Sequence, residues 1–458
     1  MINETPAPPP SMLDTWNGRA LFRLIWPLII EQLLAVAMGA ADTVMISMVG
    51  EHAVSGVNIV DNINNLLIIA FSALCTGGAV VASQYIGRRD SANASAAARQ
   101  LIYVVVLVAG VITLAALAFR RPLISLIYGS LEAGVMEAAA VYLLLTSLSF
   151  PFLGVYNANA ALFRAVGNSR ITMLIALLVN VLNIGGNAFF LLVLKLGVFG
   201  VGLSTLICRV TAAALTTALL YRGHGRPLSL GGLFRIRLAR PMIRNILNVG
   251  IPSGLESSMF QLGRLLTQRI FPLFGTAAMA GNAIAGVINS FSFQPGMAYG
   301  MALVTIVGQC VGAADFRAAR KETARIMRLT YITLVVISGA VLLFLDPLIS
   351  LFSLSAEAHE YARVFLQIHC ISMMIGWPLS FALPCALRAA GDARYVMIVA
   401  TISMWTVRVS LAYILVFALD MGPLGVWLAM GADFLSRGSC YLVRWLRGKW
   451  QTKRVITG

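Results

Sequence analysis

Apolar runs about as long as a bilayer is thick follow one another along almost the whole chain, separated by short breaks rich in Gly, Pro and charge. About 20 consecutive apolar residues make a helix that crosses the hydrocarbon core. The runs predict twelve such helices, over roughly 22–48, 55–83, 100–120, 134–160, 171–194, 198–221, 242–271, 279–311, 327–345, 360–386, 395–418 and 423–446. Composition agrees: 59% of the residues are hydrophobic and 11% charged, whereas a soluble chain is about half apolar and a quarter charged. Too little polar surface is available to coat an ordinary soluble enzyme, and the chain is too apolar to be disordered. The expected class is an all-α integral membrane protein.

The formal net charge of +16 is a topology signal rather than a nucleic-acid footprint. Of the 34 Lys and Arg, 25 fall in alternate loops, including Arg88, Arg89, the run Arg222–Arg244, Arg317–Arg328 and Arg444–Arg454. The opposite loops carry Arg120, Arg121 and Lys195 beside Glu51, Glu132, Glu357, Glu360 and Asp420. The excess of basic residues on one side puts both termini in the cytoplasm, and no nucleic-acid partner is expected. The first residues, Met1 to Gly18, lack a basic region and a cleavage site, so the first apolar run is read as a retained span. The six cysteines lie in apolar stretches without a CxxC pair and the four histidines are scattered, so neither a disulfide framework nor a metal centre is expected.

An internal repeat organises the chain. Shifted by about 225, Pro27 meets Pro252, Glu31 meets Glu256, Gly50 meets Gly275, and Gln84, Gly87 and Asp90 meet Gln309, Gly312 and Asp315. Pro122 meets Pro347, and with one residue of slack Arg164-Ala-Val-Gly167 meets Arg388-Ala-Ala-Gly391. Chance matches in apolar sequence favour Leu, Ala and Val, not Pro, Glu, Gln and Asp. Each half holds six spans, so the halves share one orientation, a parallel repeat about an axis along the membrane normal. The expected parts are a tail 1–18, a six-helix lobe 19–221, a basic linker 222–241, a second six-helix lobe 242–446 and a basic tail 447–458. Two such bundles meeting along a seam is the plan of many secondary transporters. No phosphate-cradling GxxxxGK[ST] loop is present, so energy for active transport would come from an ion gradient, and no cofactor is implied. HExxH and GxSxG are likewise missing, so the chain is not read as an enzyme.

Ionisable groups within a bilayer are functional candidates by default. Asp42 lies in the first run among small residues, and its repeat partner is Thr267. One lobe therefore keeps a carboxylate where the other does not, as a proton or Na⁺ site requires. Glu31 and Glu256 each follow a proline by four residues. They either share a structural task, such as bonding backbone freed by the proline, or line the seam and attract cations. Asn180, Asn183 and Asn187, at spacings of three and four, share one helix face, and Thr205 is positioned to join them. They serve either as interhelical glue or as an ion relay. Asp61 reads as an interfacial residue and a further cavity candidate. Asp433 and Arg437 can pair, with Arg408 joining. Arg209, Arg264 and Arg269 receive no role, although Arg264 is a cavity candidate.

Trp26-Pro27-Leu-Ile-Ile-Glu31-Gln, Gly39-Ala-Ala-Asp42-Thr-Val-Met, Gln84-Tyr-Ile-Gly87, Arg164-Ala-Val-Gly167-Asn168 and Asn183-Ile-Gly-Gly-Asn187 together resemble multidrug and toxic compound extrusion (MATE) transporters over residues 20 to 446. The resemblance implies two six-helix lobes around a V-shaped central cavity. It also implies an antiporter, working as a monomer in a bacterial inner membrane, that exchanges H⁺ or Na⁺ for small amphipathic, often cationic molecules. In the DinF-like branch the first-span aspartate, here Asp42, couples the cation, and the first helix bends at the proline, here Pro27. The family's asparagine and threonine map to Asn183 and Thr205. The branch often has an aspartate where this chain has Asn187, and the NorM-like glutamate position is Phe260 here. The first departure removes the second carboxylate and leaves a leaner site centred on Asp42, the second speaks against a NorM-type site and for the DinF-like branch, and a lone carboxylate suits H⁺ better than Na⁺. The alternative is a lipid-linked oligosaccharide flippase of the same superfamily, with Arg209, Arg264 and Arg408 lining its cavity.

Overall fold

A computed structural model describes residues 12–129, 131–223, 227–453 and 455–456. Nearly all of them are helical. The first half holds α1 (Gly18–Ser47), α2 (Glu51–Gly87), α3 (Ser91–Ala118), α4 (Ala133–Ala165), α5 (Ser169–Val193) and α6 (Gly197–Tyr221). The second holds α7 (Arg240–Gln268), α8 (Gly275–Ser292 continued by Gln294–Gly312), α9 (Phe316–Leu343), α10 (Ala356–Ile375 and Pro378–Ala389), α11 (Ala393–Ala418) and α12 (Leu424–Leu446). Among the described residues ten stretches are long and apolar enough to span a membrane, and the bent α10 pair makes eleven. Arg240–Ser292 counts as one of the ten, although the turn Phe271–Phe274 separates α7 from the first part of α8.

Departures from the sequence expectation follow from proline and from polar helix ends. α8 is interrupted at Phe293, with Pro295 in the first turn of its second part, where a missing amide hydrogen is harmless. α10 bends by 61° between Ile375 and Pro378. α2 and α4 run past the apolar limits to Gly87 and Ala165, because polar residues there find partners across the seam. α1, by contrast, continues unbroken through Pro27.

The repeat is visible in the backbone. Arg89 and Ala314, 225 residues apart, adopt positive φ of 62° and 58°, and Lys195 and Asp420, at the same separation, adopt 52° and 50°. A side chain is strained in that region, so the two halves make the same turns despite different residues. Asp90 and Asp315 then cap the following helices, accepting from Asn93 N at 3.0 Å and Ala318 N at 2.9 Å.

The halves meet through α1, α2, α7 and α8. Their hydrogen bonds run from the basic-loop ends only to mid-depth. Gln84 Nε2 donates to Ala389 O and Gln309 Nε2 to Ala165 O, both at 2.8 Å. Thr305 Oγ1 donates to Arg164 O at 3.0 Å. The crossing is tight because Gly87 lies on the Gln309 carbonyl and Gly312 on the Gln84 carbonyl, where any Cβ would overlap. Beyond mid-depth α1 and α7 expose Val44, Leu262 and Leu265. The hydrogen bonds between the halves thus close the basic-loop ends and leave the other ends of α1 and α7 open.

Outside the bundles, the linker lies along α3. Tyr103 donates to Leu233 O at 2.6 Å, Gln100 Nε2 to Arg237 O at 2.7 Å, and Leu228 and Leu230 are fully buried. After α12, Trp450 stacks on Trp445 with centroids 4.2 Å apart.

Candidate functional site

Asp42 lies in the open half of the first bundle, on α1 where it faces α5. Its Oδ1 accepts from Asn187 Nδ2 at 2.6 Å, and the same amide reaches Asn183 Oδ1 at 3.3 Å. Asn183 and Asn187 are 2% and 0% exposed. Gly186, between them, lets α6 approach, since a Cβ there would stand 2.5 Å from Ser204 Oγ. Ser204 in turn donates to Asn183 O at 3.2 Å. Asn187 Oδ1 is buried and has no hydrogen-bond partner. A buried acceptor left unmade costs about 1–3 kcal/mol.

The structure brings Asp42, Asn183 and Asn187 together and leaves two expected members aside. Asn180 donates to Ala176 O at 2.8 Å and Thr205 to Val201 O at 3.0 Å, each within its own helix. Spacing alone could place Asn180 on the right face but not at the right height. Ser204, beside Thr205, was not singled out in the sequence; its signal is the small pair Gly185-Gly186 opposite. Asp61 and Arg209 lie within electrostatic reach of Asp42. Asp61 accepts from Asn64 Nδ2 at 3.3 Å, and Arg209 Nη1 donates to Ser149 Oγ at 2.7 Å.

Glu31 and Glu256 have the same kind of partner in both halves. Arg164 Nη1 donates to Glu31 Oε1 at 2.8 Å, and Arg388 Nη1 to Glu256 Oε2 at 2.7 Å. Thr172 adds a hydrogen bond to Glu31 Oε2 at 2.6 Å. The Pro-x-x-x-Glu and Arg-Ala-x-Gly motifs are therefore one device, tying α1 to α4 and α7 to α10. Neither glutamate bonds the backbone that its proline frees. Around Pro27 that task falls to Ser169, whose hydroxyl donates to Leu24 O at 2.6 Å and reaches Arg23 O, the carbonyl deprived of its amide, at 3.3 Å.

Among the described residues the second half holds no counterpart of the Asp42 site. Thr267 is buried and donates to Arg264 O at 3.0 Å in its own helix. Its polar core is elsewhere: Asp433 accepts from Ser403 at 2.7 Å and stands 3.6 Å from Arg437 Nε and 3.9 Å from Arg408 Nη1. Arg437 also packs over Phe381, 4.2 Å from its centroid, and Arg408 over Phe260 at 5.2 Å. Arg264 and Arg269 are exposed and form no ion pair among the described residues.

Comparisons with known proteins fit this geometry. The MatE family model matches residues 27–189 and again 252–414, two stretches 225 residues apart. The chain is 29% identical over 446 residues to an uncharacterized transporter, YisQ, of Bacillus subtilis (strain 168), covering 95% of each. It is 26% identical over 457 residues to the probable multidrug resistance protein NorM of Thermotoga maritima, covering 96% of this chain and 94% of the relative. Its fold matches a crystal structure of MATE in the bent conformation with TM-score 0.87 at 18% identity, over 94% of this chain and 95% of that one.

Proposed function

This chain belongs to the MatE family, and from that membership we propose that it is an antiporter that expels amphipathic, often cationic organic compounds in exchange for H⁺. Membership makes it a multi-pass membrane transporter rather than an enzyme. The finer reading assigns it to a bacterial inner membrane with both termini in the cytoplasm, so the V opens outward. Residues 19–221 and 242–446 are then the two lobes, working as a monomer, and 222–241 the linker.

One observation carries the coupling scheme: Asp42 accepts from an asparagine whose own carbonyl oxygen has nothing to accept from. An ionised carboxylate only accepts hydrogen bonds, whereas a protonated one also donates. A proton on Asp42 supplies the donor that Asn187 Oδ1 lacks and removes a buried charge. The two protonation states thus favour different packings of α1 against α5. Pro27, with its backbone held by one serine hydroxyl, is where α1 yields. Na⁺ suits the site less well, because it prefers several hard oxygen ligands, whereas the hydrogen bonds around Asp42 gather only Asn183 and Asn187 about a lone carboxylate, which suits a proton. Phe260, at the position of the NorM-like glutamate, favours the DinF-like branch. The flippase reading needs several arginines in the cavity, but Arg408 is buried on Asp433 and Phe260 and Arg209 is held by Ser149, which leaves Arg264 as the one exposed member of the three.

The test is efflux from proteoliposomes under an imposed pH gradient, with Na⁺ gradients run separately. Asp42→Asn is expected to abolish pH-driven efflux while its melting profile stays within a few degrees of the parent. Full efflux in that variant refutes the mechanism, and efflux driven by Na⁺ at clamped pH refutes the choice of ion.

A further inference from the structure

A basic cavity of about 670 Å³ opens at the loop end of the second half, between the start of α7 and the α10–α11 turn. Arg240, Arg244, Arg394 and Lys453 line it, with Asn245 and Asn248. All four cations are exposed, and none forms an ion pair among the described residues. Asp392 is the only carboxylate in the lining. It is 4% exposed and already engaged by Arg444 Nε at 2.7 Å, so it does not neutralise the pocket. The α7 and α11 helices both begin here, at Arg240 and Ala393. Helix N-termini add to an attraction for anions.

A second cavity of about 470 Å³ continues from the first, sharing Arg240, Arg244, Asn248 and Arg394. Its character is opposite. Ile243, Leu247, Ile251 and Leu255, at helical spacing of four, form one wall on α7, and Met397 and Ile398 form the other on α11. Ile251, Leu255 and Ile398 are 52%, 48% and 50% exposed. A cluster of cations at the membrane's edge thus leads directly into an apolar trough that runs down the helices.

We propose that these joined cavities bind one anionic phospholipid, its phosphate among Arg240, Arg244 and Arg394 and an acyl chain in the trough between α7 and α11. A free phosphate would fill only the first cavity, and a zwitterionic lipid would cancel much of its own charge there. A cationic substrate is repelled by the same arginines, which separates this site from the transport path. Because α7 lines the seam, the lipid also touches a helix that must move in transport.

The experiment uses the purified full chain in nanodiscs of phosphatidylcholine containing a minor fraction of phosphatidylglycerol, followed by native mass spectrometry of retained lipid. The expected result is one phosphatidylglycerol per chain, held preferentially over phosphatidylcholine of equal chain length. Each basic residue near anionic lipid is worth about fivefold in affinity, so Arg244→Gln with Arg394→Gln should weaken retention about 25-fold. Arg120→Gln with Arg121→Gln, on the opposite face, should leave it unchanged. Ile251→Trp, which fills the trough and keeps every charge, should also release the lipid. Inorganic phosphate at millimolar concentration should not compete. Equal retention of phosphatidylcholine, or unchanged retention in the double arginine variant, overturns the proposal. Displacement by phosphate together with indifference to Ile251→Trp makes the pocket a simple anion site and overturns it equally. Melting in pure phosphatidylcholine verifies that each variant is folded.

Discussion

Replacing Glu256 with glutamine keeps the side chain's shape and removes the charge facing Arg388. The pair is close, 2.7 Å between Oε2 and Nη1, and sheltered, with the two side chains 14% and 15% exposed. Glutamine still accepts one hydrogen bond, but the guanidinium loses its counter-charge and has, besides that bond, Cys385 Sγ at 3.3 Å. Removing one partner of such a pair costs about 3–5 kcal/mol. The retained hydrogen bond and residual exposure place this case near 3 kcal/mol, which lowers the melting temperature by about 6 °C at roughly 2 °C per kcal/mol. Glu256→Gln with Arg388→Gln leaves no unpaired charge and should recover to within about 1 kcal/mol of the parent. Thermal unfolding in one detergent, read for both single variants and the double variant, closes the cycle. Additive losses would refute the pairing argument. So would a Glu256→Gln variant that melts like the parent but no longer exports cations, because the glutamate would then be contacting substrate.

Three further outcomes follow from the same geometry. Ser169→Ala removes the donor to Leu24 O and Arg23 O and should cost about 1 kcal/mol; Pro27→Ala restores an amide hydrogen for Arg23, so the double variant should cost less than the sum, and strict additivity in melting would sink the idea. Gly312→Ala drives a methyl into the Gln84 carbonyl and should open the closed end, read as faster labelling of a cysteine placed in the cavity from the basic-loop side; unchanged labelling would show that the glycine crossing is not the seal. Asp90 sits outside the spans, and hydrogen bonds from the Asn93 backbone and side chain hold its carboxyl below the usual range. Its folded-state pKa is therefore lower than the unfolded one, so its capping stabilisation is full above the ordinary carboxylate range and fades as pH falls through the folded value. Asp90→Ala should cost about 1 kcal/mol near neutral pH and close to nothing in strong acid; an equal cost at both would refute the cap.

The twelve apolar runs and the 225-residue repeat were legible without coordinates, because hydropathy and residue identity are properties of the chain read in order. So were the candidates, since any ionisable or amide side chain within hydrocarbon must find a partner. The partners themselves were not legible. Glu31 and Glu256 were open between backbone, substrate and structure, and each turns out to face an arginine more than 130 positions away, on a helix whose rotation spacing cannot fix. The asparagine stripe placed three amides on one face, but only the height of α1 against α5 selects Asn187 for Asp42 and returns Asn180 to its own helix.

Sequence by itself determined that the chain is a doubled, membrane-spanning helical protein in which the Asp42 carboxylate has no counterpart in the repeat. Only the tertiary structure decided which groups meet: the unfilled oxygen beside Asp42, the glycine crossing that closes one end, and the basic pocket that opens into an apolar trough. Periodicity constrains one helix at a time, whereas a contact between helices depends on their relative rotation, depth and approach.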